Sequence, residues 1–220
     1  MAIGVIITAF NAERWLADAI TSVLGQTPRP IDILVLDDGS TDATAAIATR
    51  FGEPVRVVSQ ANAGIGAARN RGLELVRGGL LAFLDSDDLL TEASFALRLR
   101  VFEERPDVEV VFGHVRRFER ALDGVPVPSS ALQAGQVPGA ILARRELFER
   151  VGKFRTDVRI AEGLDWLLRA REQGLVEVTV PEQVLWRRVH GDNNSLVSRD
   201  AIGEFAHALK WSLDRRRAAN

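Results

Sequence analysis

Short apolar runs alternate with segments of helical periodicity through the first part of the chain, and this alternation limits the fold more than any other feature. The runs have the length of buried strands, and the segments between them repeat apolar residues every three or four positions. A strand–helix alternation of this kind predicts a single α/β domain with a mostly parallel sheet flanked by helices on both faces. The predicted strands are residues 3–8, 31–36, 54–59 and 80–84, and the predicted helices are residues 12–24, 42–50 and 66–76.

The second part of the chain is less regular. Residues 123–139 hold three prolines and three glycines with little periodicity, so they predict a loop that acts as a mobile lid. The other predicted elements are helices 93–104, 145–151, 161–173 and 199–217, and strands 108–118, 140–143, 176–180 and 184–188.

Composition excludes several classes of protein. A net charge of −2 gives no overall attraction to nucleic acid or an anionic membrane, although positive charge can still be local. The chain has no cysteine, which excludes disulfides, thiolate metal sites and a cysteine nucleophile and leaves oxygen-ligand metal sites open. No apolar run approaches the roughly 20 residues that span a bilayer. The N-terminus lacks a basic signal-peptide region, so we expect a cytoplasmic location.

The fourth predicted strand ends in a cluster of acids, Asp85, Asp87 and Asp88. Ligands of open α/β sheets bind beyond the carboxyl ends of the strands. Carboxylates packed there repel one another unless a cation or a bound ligand offsets the charge. Asp85 and Asp87 project to the same side of an extended chain, which predicts a clamp for a divalent ion that carries phosphates. Asp88 fits the alternative role of a helix cap.

Polar residues also follow the other predicted strands. Thr8 ends the first strand, Asp37 and Asp38 end the second, and Asn62 follows the third. We expect these residues to meet Asp85 at one edge of the sheet. A role in a turn or a helix cap explains Asp37 and Asp42 as well as ligand binding does. Asp38 is the better candidate for a ligand-binding residue.

Residues 64–69 nearly match the glycine fingerprint of dinucleotide-binding folds, and this is the main competing signal. Arg69 stands where the third glycine is needed for close helix packing, and the segment follows the third strand instead of the first. Small residues here still allow the backbone to approach a phosphate or a base.

Taken together, five stretches of the sequence resemble the family-2 glycosyltransferases of the GT-A fold. The resemblance is close over residues 1–100 and continues more loosely to about residue 195. The five stretches are residues 5–13, 22–27, 36–42, 62–72 and 85–88.

The resemblance implies a metal-dependent, inverting enzyme that moves a hexosyl or N-acetylhexosaminyl group from a nucleotide sugar, with UDP preferred, to a hydroxyl acceptor. Asp87 would bind Mn²⁺ or Mg²⁺, which would neutralise the leaving diphosphate. Residues 1–100 would bind the donor, residues 101–198 the acceptor, and residues 199–220 would form a C-terminal helix. The residues implied to border the nucleotide sugar are Thr8, Phe10, Asp38, Asn62, Gly64, Arg69, Asp85 and Ser86.

The second half departs from the family pattern at the expected general base. The family usually places a Glu-Asp pair at a helix start, and here Glu162 is followed by Gly163. Asp165 lies one helical turn from Glu162 and shares its face. The base must deprotonate the acceptor hydroxyl. We expect Glu162 to do so, with Asp165 as second choice. The alternative is that both acids only complement the helix dipole.

His190 lies in a segment that resembles the family's Arg-x-His motif, which implies that this histidine ligates the metal or contacts the diphosphate. The loop after His190 is expected to help close the site. The final predicted helix repeats Ile202, Phe205, Leu209 and Leu213 and ends in basic residues, which is typical of an amphipathic helix packed on its domain. A peripheral membrane contact is the alternative for this helix.

Three other functions remain open at this point. One is a nucleotide-sugar-binding protein without transferase activity, which the Gly163 departure favours. Another is a dinucleotide-dependent oxidoreductase, which Arg69 and the acid cluster argue against. A nucleotidyltransferase ranks last, because the N-terminus lacks a glycine-rich phosphate loop followed by Arg and Lys.

Overall fold

The computed structural model describes residues 1–122, 124–191 and 201–219. Strands and helices alternate as predicted in the first half. The strands are β1 (Ile3–Ala9), β2 (Asp32–Asp37), β3 (Val55–Ser59), β4 (Leu80–Asp85), β5 (Leu89–Leu90), β6 (Val110–Leu122), β7 (Val125–Pro128), β8 (Gln133–Ala134), β9 (Ile141–Arg144) and β10 (Glu177–Arg188). The helices are α1 (Leu16–Leu24), α2 (Thr44–Thr49), α3 (Ile65–Leu75), α4 (Ser94–Glu104), α5 (Arg145–Val151), α6 (Glu162–Glu172) and α7 (Ala201–Ala219).

All ten of these strands belong to one sheet, with the order β3-β2-β1-β4-β9-β6-β10-β5 and with β7 and β8 paired to β6. The first four strands are parallel to one another, as the sequence predicts. β9 is antiparallel to both β4 and β6, so the second half of the sheet is mixed. One α/β domain with a large central sheet is confirmed. The sheet contains strands from both sides of residue 100. The functional division at this residue stays a prediction.

Helices cover both faces of the sheet, which also confirms the prediction. Alternate residues of β1 point to opposite faces. Val5 and Ile7 pack with Leu16 and Ile20 of α1 on one face. On the other face Ile6 belongs to a cluster of residues from β4, α5 and α6.

Two predictions about the second half are wrong. Residues 125–128 and 133–134 form strands antiparallel to β6, so the predicted loop 123–139 contains two short strands of the sheet. Its prolines are tolerated because β7 is an edge strand. The two predicted strands near the C-terminus form the single strand β10, which has a register irregularity between Thr179 and Leu185.

Among the helices that the structure describes, none combines the length and the apolarity that crossing a bilayer requires.

Gly66 fixes how closely the start of α3 approaches the segment before α6. A Cβ at this position would lie 2.0 Å from the carbonyl oxygen of Arg155, whereas a Cβ on Gly79 would have no atom within 4 Å. We therefore expect Gly66→Ala to lower the free energy of unfolding by about 1–3 kcal/mol. Gly79→Ala should change it by less than about 1 kcal/mol. Urea unfolding of both variants measures this, and equal midpoints would contradict the close contact.

Candidate active site

The carboxyl ends of β1, β2 and β4 lie side by side. β1 is the middle strand, with Thr8 in register with Asp85 on one side and Ala9 in register with Asp37 on the other. The backbone N–H of Ser86 donates to the carbonyl of Thr8 at 3.2 Å. The expectation that these strand ends meet at one edge is therefore confirmed.

Hydrogen bonds join the loops after β1 and β2. Asn11 has a positive φ of 49°, and its side-chain oxygen accepts from the N–H of Thr41 at 2.9 Å. Asp37 accepts from the N–H of Ser40 at 3.0 Å, which is a turn role. Asp42 accepts from the N–H of Thr44 at 2.9 Å. Both acids are used in holding the loops, as the structural interpretation of the sequence predicts.

Phe10 and Asp38 differ in how much of each side chain is accessible. Phe10 is 51% exposed at the start of the β1–α1 loop, so its ring is open to stacking. Asp38 is buried and accepts from Gln60 Nε2 at 2.7 Å, from Ala63 N–H at 3.0 Å and from Gly64 N–H at 2.8 Å. A carboxylate has about four acceptor positions. Three of these positions are occupied by the bonds to Gln60, Ala63 and Gly64.

Asp38 thereby shapes the loop that holds Asn62 and Gly64. Asn62 is exposed. Gly64 has a φ of 86° and precedes α3, a conformation that residues with a Cβ rarely adopt. The β3–α3 loop therefore stands beside the ends of β1 and β2, where the sequence predicts a nucleoside. Whether these residues bind one stays a prediction.

The acids after β4 are buried close together. Asp87 Oδ2 lies 3.0 Å from His190 Nε2, and both side chains are about one-fifth exposed. Burial, followed by the carboxylate of Asp85, raises the pKa of Asp87. Burial raises the pKa of Asp88 well above its usual range, and Asp87 and Asp85 add to this effect. Three carboxylates therefore lie close together at the end of β4.

The pair Asp87 and His190 fits a divalent metal ion in its chemistry. A carboxylate suits Mn²⁺ and Mg²⁺, and an imidazole is a ligand of divalent transition metals, so of these two ions the pair suits Mn²⁺ better. In the part of the chain that the structure describes, no third His, Asp or Glu joins them in a metal-binding group.

Asp88 and Arg188 fix the position of the His190 segment. Asp88 Oδ1 accepts from the backbone N–H of Arg188 at 2.8 Å, and Arg188 Nε donates to the carbonyl of Asp87 at 2.9 Å. Together these bonds hold the end of β10 against the acid cluster. The predicted closing loop after His190 includes residues 192–200, which lie outside the described residues.

Trp15 is a site residue that the sequence analysis missed as such. Its ring lies 4.2 Å from the guanidinium of Arg188 and 5.6 Å from the ring of His190. The helical periodicity around Trp15 predicts a core residue. The overlooked signal is its position, at the very start of a helix that follows a strand of the site.

Arg69 lies at the centre of the site and is almost fully buried, at 2% exposure. Its Nη2 donates to Asp85 Oδ1 at 2.8 Å, and its Nη1 pairs with Glu162 Oε1. Burial alone would lower the pKa of Arg69, but the carboxylates of Glu162 and Asp85 hold it above its ordinary value. One buried cation thus joins the acid at the end of β4 to the acid at the start of α6.

Glu162 and Asp165 have different surroundings although both are buried. Glu162 is 4% exposed, and its second oxygen, Oε2, has no hydrogen-bond partner among the described residues. Asp165 accepts from Arg169 Nε at 2.9 Å and pairs with Arg215 Nη1 at 3.2 Å, so it joins α6 to α7. The geometry favours Glu162 for chemistry and Asp165 for structure.

Gly163 packs against the 3-10 turn Pro138–Ala140. A Cβ on Gly163 would lie 2.7 Å from Pro138 Cγ, which real contacts do not allow. A carboxylate at position 163 therefore needs this turn to move. Trp166, further along α6, is 2% exposed and stacks on Phe148 at 4.7 Å, so it belongs to the core.

Sequence comparisons place this chain among known proteins. A family model described as Glycosyl transferase family 2 matches residues 4–152. An uncharacterised glycosyltransferase of Nostoc sp. (strain PCC 7120) is 32% identical over 226 residues, which cover 93% of this chain and 70% of that protein. The uncharacterised glycosyltransferase EpsJ of Bacillus subtilis is 30% identical over 191 residues, covering 76% of this chain and 55% of that protein. The chain thus spans only part of these relatives.

A structural comparison gives a similar protein. TarS of S. aureus, residues 1–349 in a crystal structure with UDP-GlcNAc, matches with a TM-score of 0.79 and 19% identity over 96% of this chain and 65% of that chain. At this level of identity the likeness shows a shared fold.

Proposed function

The chain belongs to glycosyl transferase family 2, and on that premise we propose that it transfers a sugar from a nucleotide-sugar donor to a hydroxyl acceptor. A UDP-hexose or UDP-N-acetylhexosamine is the preferred donor. The TarS complex with UDP-GlcNAc supports this choice, because that protein shares the fold. The cytoplasmic location expected from the sequence stays a prediction.

The observation that carries the proposal is the arrangement around Arg69. Its guanidinium joins Asp85, at the strand edge proposed for the donor, to Glu162, which keeps one carboxylate oxygen unpartnered among the described residues. A buried ion cluster that served structure alone would be expected to satisfy this oxygen. An unpaired carboxylate oxygen is instead suited to accept a hydrogen bond and then a proton from a hydroxyl group.

Donor binding is proposed at the edge formed by β1, β2 and β4. The ring of Phe10 and the residues around Asp38, namely Asn62 and Gly64, would border the nucleoside. Asp87 and His190 would hold Mn²⁺ or Mg²⁺, and the bound ion would supply positive charge to the leaving diphosphate. Thr8 and Ser86 lie in the same edge, beside Asp85.

The proposed reaction is a direct displacement. Glu162 Oε2 takes the proton of the acceptor hydroxyl while that oxygen attacks the anomeric carbon from the face opposite the diphosphate. The bond from the anomeric carbon to the diphosphate breaks with its electron pair on the nucleoside diphosphate, so the configuration inverts. Arg69 orients Glu162 through the other carboxylate oxygen.

Gly163 favours one alternative, a protein that binds nucleotide sugars without transferring them. The alternative rests on the lack of a carboxylate at position 163, where the resemblance leads us to expect one. Binding of UDP without turnover of any nucleotide sugar in the presence of a hydroxyl acceptor would support this alternative.

The metal site gives the first test. We expect UDP to bind in the presence of Mn²⁺, and Asp87→Ala and His190→Ala each to weaken that binding at least tenfold, about 1.4 kcal/mol. The reason is that each variant removes a proposed ligand of the ion that holds the diphosphate. Calorimetric titration with UDP, with and without Mn²⁺, measures the effect.

Asp107→Ala is the matched control, because Asp107 is an exposed acid paired only with Arg105 among the described residues. It should bind UDP as the wild type does. Unchanged Mn²⁺-dependent binding in Asp87→Ala would remove the metal site from the proposal. No binding of UDP, GDP or dTDP to the wild type would overturn the proposed donor site.

A further inference from the structure

Helix α7 is attached to the rest of the domain by a largely polar face. Arg215 Nε and Ser212 Oγ bind the carboxylate of Glu172 at 2.7 Å and 2.5 Å. Near the other end of the helix, Glu204 accepts from the backbone N–H of Ile160 at 2.9 Å. Ala208 is fully buried between these anchors. The contacts with α6 therefore fix which face of α7 points outward.

The outward face of α7 is apolar. Phe205, Leu209 and Leu213 are spaced four residues apart, so they form one stripe along the helix. They are 39%, 51% and 52% exposed. A helix that packs on a globular domain normally turns its apolar stripe toward the core. In α7 this orientation is reversed, and we call these three residues the α7 stripe.

Positive charge accompanies the α7 stripe. Arg216 and Arg217 follow Leu213 by three and four positions, which places them at the C-terminal end of the same face, and Lys210 flanks it. All three are exposed. Among the described residues of α7, Asp214 is the only exposed acid, because Glu204 is occupied by the segment before α6.

We propose that the α7 stripe is a contact surface for an anionic lipid bilayer. Leucine and phenylalanine on one helix face, with arginine and lysine beside them, are the features of helices that lie in the membrane interface. The basic residues would meet lipid phosphates while the three apolar side chains enter the boundary of the acyl chains. The contact requires no transmembrane helix.

The charges and the area argue against a second copy of this chain as the occupant. Two stripes packed in parallel would bring the basic ends together, and antiparallel packing would place Arg216 and Arg217 beside a partner helix end whose Glu204 is already occupied. Three half-exposed side chains also offer far less than the roughly 800 Å² per partner of a stable interface. Both arguments favour an anionic surface over a dimer.

The test is co-sedimentation of the whole chain with vesicles. One set is pure phosphatidylcholine, and the other contains added phosphatidylglycerol. We expect the wild type to bind the anionic vesicles, with binding weakened by high salt, and to bind the neutral vesicles poorly. Leu209→Ser/Leu213→Ser and Arg216→Ala/Arg217→Ala should each lower the partition coefficient at least tenfold.

Leu122→Ser/Val125→Ser is the matched control, because these two residues are 59% and 65% exposed at the tip of the β6–β7 hairpin. It should bind vesicles as the wild type does. Thermal unfolding without vesicles verifies that each variant is folded. The proposal would be overturned if the wild type does not bind anionic vesicles. It would also be overturned if the control variant loses as much vesicle binding as the α7 variants do. A dimer in sedimentation equilibrium that Leu209→Ser/Leu213→Ser dissociates would overturn it in favour of a second copy.

Discussion

Glu162→Gln is expected to lower kcat by a factor of about 10²–10⁴, the usual contribution of general base catalysis, while UDP affinity stays close to that of the wild type. Glutamine keeps the shape of the side chain and an oxygen for Arg69, but it cannot take the proton of the acceptor hydroxyl. The loss should therefore appear in the chemical step. Initial rates of UDP release with a transferred sugar, together with calorimetric titration with UDP, separate the two effects.

Asp165→Asn is the matched comparison, because Asp165 is the other buried acid in the first turn of α6. Its carboxylate holds Arg169 and Arg215. We expect this variant to lose stability, because two arginines lose a charged partner, while the kcat of the folded fraction changes little. A large loss of kcat in Asp165→Asn with none in Glu162→Gln would reverse the two roles.

The sheet edge formed by β1, β2 and β4 was predictable because it depends on local pattern and on topology. Apolar runs located β1, β2 and β4, and the right-handed crossover rule placed their carboxyl ends together. The register of Thr8 with Asp85 is the direct consequence. General rules for turns and caps account for the roles of Asp37 and Asp42, but the sequence pattern left these roles and ligand binding equally favoured.

The centre of the site was not predictable from pattern. Arg69 and Glu162 are 93 positions apart, and their pairing depends on how α3 and α6 pack in three dimensions. A charged residue in a helix is usually exposed, so the sequence favoured solvent or a diphosphate for Arg69 as its neighbour. The contact of Gly163 with Pro138 is similarly long-range, and it arises from a segment that composition indicated to be a loop.

The orientation of α7 was also not predictable from the sequence pattern. Periodicity shows that Phe205, Leu209 and Leu213 share one face, but it does not show whether that face meets the core. The polar contacts of Arg215, Ser212 and Glu204 decide this orientation, and these residues look like ordinary surface residues in the sequence.

Arg69→Met is expected to lower the free energy of unfolding by about 3–5 kcal/mol, the usual cost of removing one partner from a buried ion pair. Methionine fills a similar volume but leaves Glu162, at 4% exposure, without its cation. Asp85 loses less, because its side chain is 36% exposed and water can hydrate it. Urea unfolding at neutral pH measures the change.

Arg71→Met is the control on the same helix. Arg71 is 50% exposed and paired with Glu74 one turn away, so its loss should cost no more than about 0.5 kcal/mol.

The double variant Arg69→Met/Glu162→Gln completes a double-mutant cycle. It should be more stable than the sum of the two single changes predicts, because the neutral glutamine no longer leaves a buried charge unpaired. Additive effects would mean that Arg69 acts mainly through Asp85. If Arg69→Met lowers the free energy of unfolding no more than Arg71→Met does, solvent reaches the ion pairs of Arg69. The buried arrangement on which the proposed mechanism depends would then be wrong.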